Sequence, residues 1–406
     1  MRLSDAGKVT RRLRQFWARH DEARRLAPLY SPNPGDLDRD RHLAEAVEWV
    51  RRAQDAGPDR GVAYGAALGS DFDVSYPETT GYICQTFVDL ERATGNAELL
   101  DRAIEMGDWE IEIQMESGAV MGGKCSNAAQ TPAVFNTGMV LLGWAALFNR
   151  TRAERFQLAT RRAANWLADI QEPNGDWIQG RSRFAMDGTG VYRVMAAWGL
   201  CEAGIALGDD RYIDGAIRNA EFCLSRQQPN GWLADCCLSD PSRPLLHTLA
   251  YAMQGLVAIG RLTGREDFIA GAQRLADAEL RIMTRGGFLA GRQDSSFRPA
   301  AKWACVTGTA QTSIVWSELL AITGDDKYRT AVARANRWLM AHHDIRNPDE
   351  RLRGGITGSW PVQGGYRRLE VINWGVKFFI DALAREQQDA TYIADEISAH
   401  RELVMT

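Results

Sequence analysis

The chain has 406 residues, 45% of them hydrophobic, which is enough to bury a large core. Its 48 basic and 52 acidic residues are well mixed and leave a formal charge of −4, giving no case for nucleic acid as a partner. No run of about 18 apolar residues occurs, so no integral membrane helix is expected.

Seven cysteines without a framework spacing read as reduced thiols. The N-terminus, MRLSDAGKVTRRLRQFWARH, lacks the apolar stretch of a secretory signal. Both features lead to the expectation of a cytoplasmic protein. From Arg11 to Arg25 the chain is basic and amphipathic. That segment reads as a helix packed on the body with a solvated basic face, or as one resting on an anionic membrane surface. Residues 1–40 read as an N-terminal helical extension, 41–386 as the body and 387–406 as a tail.

The first helix of the body starts near 41 and runs to Gln54. A Gly-led segment, Gly61-VAYG, follows, and then an apolar helix opening near 77. The same order returns in pairs near 98 and 132, 154 and 190, 210 and 246, 266 and 308, and 326 and 370. Helices of the first set end on an aromatic residue five positions before a polar one: Trp49/Gln54, Trp109/Gln114, Trp166/Gln171, Phe222/Gln227 and Trp338/His343. They carry charge on one face, the pattern of a helix half in solvent. The Gly-led segments begin at Gly61, Gly118, Gly175, Gly231, Gly287 and Gly355, spaced by 57, 57, 56, 56 and 68. So regular a period is one unit copied six times.

Helices of the second set are apolar nearly all round and rich in Ala and Gly, as in LHTLAYAMQGLVAIGRL, so they are buried on most sides. Several end in a Gly followed by Asp, Asn or Glu: TGNAELL, LGDDRYI, TGREDFI and TGDDKYR. Gly supplies a left-handed C-cap, and the acid or amide opens the next helix. Six helical hairpins with an inner and an outer ring form an all-α (α/α)6 toroid. Because an outer helix comes first and an inner helix last, closure is a clasp between residues 40–56 and 370–386. The Gly-rich loops at the mouth are short, or small hairpins.

Trp166-Leu167, Gln171 and Gly175-Asp176-Trp177 resemble the QW repeat of triterpene cyclases and the repeats of protein prenyltransferase β subunits; Gln114/Gly118 and Gln227/Gly231-Trp232 are partial copies. This resemblance implies the fold, not the chemistry. Ser75-Tyr76-Pro77-Glu78-Thr79-Thr80-Gly81-Tyr82, with Ala53-Gln54-Asp55 before it, resembles a bacterial toroid family linked to polysaccharide biosynthesis.

Polar residues at the starts of inner helices need a reason, because those helices are otherwise apolar. Glu78 is either a first-turn acid complementing the helix dipole or a general acid or base. Asp73, with Asp71, is a loop acid or a second carboxylate for glycoside hydrolysis. His247 and Tyr251, one turn apart, suit proton removal next to a carboxylate, with Tyr76 as a competing proton carrier. The expected substrate-binding set is Tyr82, Lys124, Asn127, Arg181, Arg183, Tyr192, Arg193, Asp235, Arg292, Asp294, Trp303, Trp360 and Asn373. Aromatic rings stack on sugars, and arginines fork a uronate carboxylate.

The leading reading is an enzyme on an acidic, uronic-acid-containing glycan, by lyase, C5-epimerase or hydrolase chemistry, without a cofactor. A terpenoid or prenyl enzyme is the alternative. There Asp235, Cys237 and His247, with Cys125 and Cys305, are candidate zinc ligands, although no CxxC or HExxH spacing supports them. A third reading is a glycan-binding protein without catalysis. Oligomeric state is left open.

Overall fold

The computed structural model describes residues 18–126, 130–182, 185–186 and 188–387. Part of the basic N-terminal segment and nearly all of the expected tail lie outside them. Among the described residues, twelve helices form two concentric rings. The outer ring holds α1 (Arg39–Asp55), α3 (Ala97–Glu112), α5 (Glu154–Asp169), α7 (Asp210–Ser225), α9 (Glu266–Ile282) and α11 (Asp326–Ala341). The inner ring holds α2 (Pro77–Thr94), α4 (Val134–Thr151), α6 (Val194–Leu207), α8 (Leu246–Thr263), α10 (Val306–Thr323) and α12 (Asn373–Gln387). Each inner helix packs on the next, and α12 returns to touch both α2 and α1, which closes an (α/α)6 toroid.

The two rings follow from two patterns of side chains. On α5 the buried positions are Phe156, Ala159, Thr160, Ala163, Ala164 and Leu167, one stripe at helical spacing. On α8 every residue from Leu246 to Gly260 is buried. Outer helices start on side-chain caps: Asp38, Asn96, Asp209 and Asp325 each accept from a first-turn N–H. The inner helices α2, α4, α8 and α10 start without one. At the other end Gly95, Gly208, Gly264 and Gly324 adopt the left-handed C-cap. In the second unit Arg152 takes that position instead, at φ 56°.

A glutamine joins each of the first four units to its successor. Gln171 Nε2 donates to Gly175 O (3.1 Å) in its own loop and to Gly215 O (2.8 Å) on the next outer helix. Its Oε1 accepts from Arg218 at 2.9 Å. Gln114 repeats this with Gly118, Ala159 and Arg162, and Gln227 with Gly231, Gly271 and Arg274. Gln54 bonds Arg60 O and Arg102 O instead, and Gly61 is not left-handed. The loop glycine also permits the close approach of the next unit. At Gly175, φ is 86° and a Cβ would strike the Arg218 carbonyl.

Closure uses different chemistry. His343 stands where the glutamines stand, and its Nδ1 lies 2.8 Å from Nδ1 of His42 on α1. The left-handed glycine of the sixth unit is Gly354, at φ 79° against the Glu45 carbonyl, not the expected Gly355. Two small antiparallel sheets complete the mouth. β1 (Gly65–Ala67) pairs with β4 (Glu370–Ile372), joining the first loop to the last, and β2 (Ala304–Cys305) pairs with β3 (Ser359–Trp360). The segment before α1 is docked as well. Residues 18–26 are helical, the buried Tyr30 hydroxyl donates to Gly355 O at 2.8 Å, and Ser31 N donates to Asp344 Oδ2 at 2.9 Å. Among the described residues no helix is long and apolar enough to cross a membrane.

Two alanine substitutions separate backbone strain from close packing. Gly208 is left-handed with no atom near its missing Cβ, so Gly208→Ala is expected to cost about 1–2 kcal/mol. Gly175→Ala adds the clash with Arg218 and is expected to cost about 3 kcal/mol or more. Equal shifts of the two denaturation midpoints would contradict the inter-unit contact.

Candidate functional site

The inner helices begin at one end of the ring, around a cavity of about 380 Å³. One helical position recurs in its wall. The second residue of α2 is Glu78, of α4 Phe135, of α8 His247 and of α12 Trp374; all four line the cavity. Tyr192, from the 3-10 turn before α6, stands in the same layer. The loops add Tyr64, Lys124, Arg181, Tyr366 and Arg367. Among the described residues α10 contributes nothing to the lining.

Glu78 and Tyr76 form one polar pair. The Tyr76 hydroxyl donates to Glu78 Oε2 at 3.2 Å. Glu78 keeps partial contact with solvent through the cavity, yet the protein around it strips enough water to push its carboxyl up to about 7, and the tyrosine offsets part of that. Glu78 is therefore a carboxyl that holds its proton near neutrality. His247 is shifted the opposite way. Burial lowers its pKa to about 4, partly countered by its hydrogen bond with Gln311. Its Nδ1 lies 2.5 Å from Gln311 Oε1, and its ring centre is 4.3 Å from that of Tyr251. Tyr251 itself packs on Phe135 at 4.9 Å, and burial holds its hydroxyl well above the usual phenol range.

Beside Tyr76 the wall is aromatic and cationic. Tyr64 stands edge-on to Tyr76 and Trp374, with ring centres 4.9 Å apart in both pairs. Lys124 Nζ lies 4.6 Å and Arg367 Cζ 4.7 Å from the centre of the Tyr64 ring. Each cation is steadied by a carboxylate that is not part of the cavity lining: Asp73 for Lys124, Glu370 for Arg367, and Asp176 for Arg181.

Of the residues expected from the sequence, the structure brings Glu78, Tyr76, His247, Tyr251, Lys124, Arg181 and Tyr192 onto this cavity. Asp73 is exposed at the rim, paired with Lys124, and Asp71 is paired with Arg351. Tyr82 is buried outside the lining, with its ring 5.5 Å from Phe378. The other expected residues do structural work. Arg193 is buried against Asp176 and Thr189 O. The carbonyl of Asp235, a left-handed residue, accepts from Gly190 N at 3.0 Å and so ties loop four to loop three. Arg292 donates to Arg243 O at 2.6 Å. Asp294 caps a turn through Ser296 N and Arg298 N. Trp303 fills the space beside Gly291 and Gly364-Gly365. Trp360 lies in β3 and meets His342 edge-on at 4.7 Å. Asn373 donates to Ala63 O at 2.9 Å. Asn127 and Arg183 lie outside the described residues. Among the described residues no group of three His, Cys, Asp or Glu side chains is placed to hold a metal ion, so Asp235, Cys237 and His247 do not converge.

Phe135, Asn136 and Tyr64 were not among the expected residues, nor were Tyr366, Arg367 and Trp374 in the expected binding set. For Phe135 and Trp374 the signal is in the sequence: they occupy the helix position that Glu78 and His247 occupy. For Tyr64 there is none, because its place depends on the pairing of β1 with β4.

No protein-family model matches the chain, and a search of curated proteins finds no match. Solved structures do match. The cellobiose 2-epimerase of Bacillus thermoamylovorans superposes with a TM-score of 0.69 at 11% identity, covering 86% of this chain and 98% of that one. An unsaturated glucuronyl hydrolase specific for heparin gives 0.67 at 13%, covering 85% and 95%. An unsaturated glucuronyl hydrolase from a Bacillus species, responsible for the degradation of glycosaminoglycan, gives 0.66 at 15%, covering 86% and 97%. At such identities the likeness is one of fold, and it spans nearly the whole of each partner: the chain is an (α/α)6 toroid of the kind these sugar enzymes share.

Proposed function

We propose that this chain is an enzyme that moves a proton at the carbon beside the carboxyl group of a uronic-acid-containing oligosaccharide. The observation that carries this is the opposite displacement of two groups on one wall: a carboxyl raised to about 7 and an imidazole lowered to about 4 line the same cavity. Between those values Glu78 is protonated and His247 is neutral. His247 takes the proton from carbon. Glu78 holds the developing charge on the sugar's carboxyl oxygen with its own proton. Delivery of a proton to the opposite face by a second donor, a wall tyrosine or solvent, is epimerisation; departure of the neighbouring oxygen substituent with a proton is elimination.

Lys124, Arg181 and Arg367, each paired with a carboxylate outside the lining, bring three charged hydrogen-bond donors to a wall that carries one carboxyl. That balance, with Tyr64, Tyr192 and Trp374 for the flat faces of the sugar, suits a uronate and would be costly around an isoprenoid chain. Hydrolysis by a carboxylate pair has less support: among the described residues Glu78 is the one carboxyl on the wall. The sugar-acting neighbours, and the resemblance of Ser75–Tyr82 to a family linked to polysaccharide biosynthesis, are consistent with this reading.

The test is incubation with uronic-acid oligosaccharides in deuterium oxide. Incorporation of deuterium at the carbon beside the carboxyl, or cleavage that leaves an unsaturated uronate, is expected; cleavage to a saturated uronate without incorporation would overturn the proposal, and binding without any of these would indicate a glycan-binding protein. Glu78→Gln and His247→Ala should each lower the exchange rate on the order of 10²–10⁴-fold, with thermal melting shifted little. The profile of kcat/KM against pH should be bell-shaped. Its acid limb falls as His247 protonates near 4, and its alkaline limb falls as Glu78 ionises near 7. Arg367→Ala should weaken a uronate ligand by about 1.5–3 kcal/mol, read by titration calorimetry, and a neutral analogue much less.

A further inference from the structure

His247 is held from behind by an inner helix that sends nothing to the cavity wall. Gln311, on α10, places Oε1 2.5 Å from His247 Nδ1. Its own amide nitrogen donates to Gln254 Oε1 on α8 at 2.8 Å. All three residues are buried, with Gln311 at 0% exposure. The backbone brings them together because α10 and α8 meet at Gly308, where a Cβ would press on the backbone nitrogen of His247 at 2.7 Å. Around the imidazole, Tyr251, Tyr366 and Phe378 stand with ring centres 4.3, 5.6 and 6.3 Å away. These rings, tilted or edge-on to the imidazole, confine it.

An amide oxygen accepts a hydrogen bond and cannot donate one. With Gln311 Nε2 committed to Gln254, the atom facing His247 is the oxygen, and Nδ1 must carry the proton. The lone pair of a neutral imidazole is then on Nε2, and no hydrogen bond from a described residue reaches that atom. In water an unconstrained imidazole prefers the other tautomer, with its proton on Nε2. The glutamine pair therefore reverses the intrinsic preference.

We propose that Gln311, backed by Gln254, is a positioning residue that locks His247 as the Nδ1–H tautomer and so makes Nε2 the base of the cavity. The assignment of His247 as a base rests on the function proposed above; the tautomer does not, and it can be measured without substrate. The experiment is long-range proton–nitrogen correlation NMR on the full chain labelled with 15N-histidine, with the His247 signals identified by their absence in His247→Ala. At neutral pH the wild type is expected to show a protonated, pyrrole-type Nδ1 and a bare, pyridine-type Nε2. Gln311→Leu should move the ring toward the Nε2–H form and lower deuterium exchange into substrate at least tenfold, with little change in KM. Gln311→Glu keeps an acceptor at that place, so it should retain the Nδ1–H signature and raise the titration midpoint of His247. A wild-type spectrum of the Nε2–H form would overturn the proposal, and so would an unchanged tautomer in Gln311→Leu. Because the wild-type spectrum decides by itself, a variant that fails to fold does not remove the test. A changed tautomer with undiminished exchange would overturn the base role of His247 and leave the lock standing.

Discussion

The inner helices meet where they lack side chains, and the rest of the molecule depends on that contact. Gly143 lies on the carbonyl of Gly81, Gly199 on that of Gly138, Gly255 on Val194 and Gly308 on the start of α8. A Cβ at any of them would collide with a neighbouring backbone. This fixes the radius of the inner ring, and a fixed radius brings the first-turn residues of different helices to a common centre. Glycine within a helix costs about 0.5–1 kcal/mol relative to alanine. Close packing of long apolar helices offsets that cost many times over.

The two ends of each inner helix serve different needs. The ends away from the cavity are finished by left-handed caps, and three of the outer helices that follow, α3, α7 and α11, open on acidic or amide caps. The ends at the cavity carry no side-chain cap, so their positive dipole ends point at whatever enters, beside three cations that are each balanced by a carboxylate outside the lining. Glu78 and His247 sit inside that field, but burial is what moves them, and it moves them oppositely because it penalises the charged form of each. One layer of the ring thus holds a carboxyl with a raised pKa and an imidazole with a lowered one at the same helix position.

The repeat is not uniform, and its largest departures fall where the ring closes. A glutamine that bonds its own loop and the next outer helix joins each of the first four units to its successor. It is replaced at the junction of last and first by a pair of buried histidines, with Gly354 rather than Gly355 on the Glu45 carbonyl. The β1–β4 pairing adds main-chain hydrogen bonds at the same junction. Closure joins chain ends that the other junctions do not, so it cannot reuse a clamp whose partners lie 44 to 48 residues apart.

The number of units, the alternation of rings and the end of the ring where polar residues gather were all legible along the chain. They follow from period, from the contrast between charged and apolar helices, and from glycine at helix ends, all of which are local. Glu78, His247 and Tyr251 could be picked out the same way, because a polar residue opening an apolar helix is visible in one dimension. Which of the many mouth residues face inward was settled by the folded ring alone. Arg193 and Asn373 sit in the same stretches as lining residues but turn away to Asp176 and to Ala63 O, and Trp360 is taken up by a strand. Tyr64 reaches the cavity through pairing of its neighbours with a strand some 300 residues later. Side-chain direction in a loop is set by partners distant in sequence, and the spacing along a chain does not carry it.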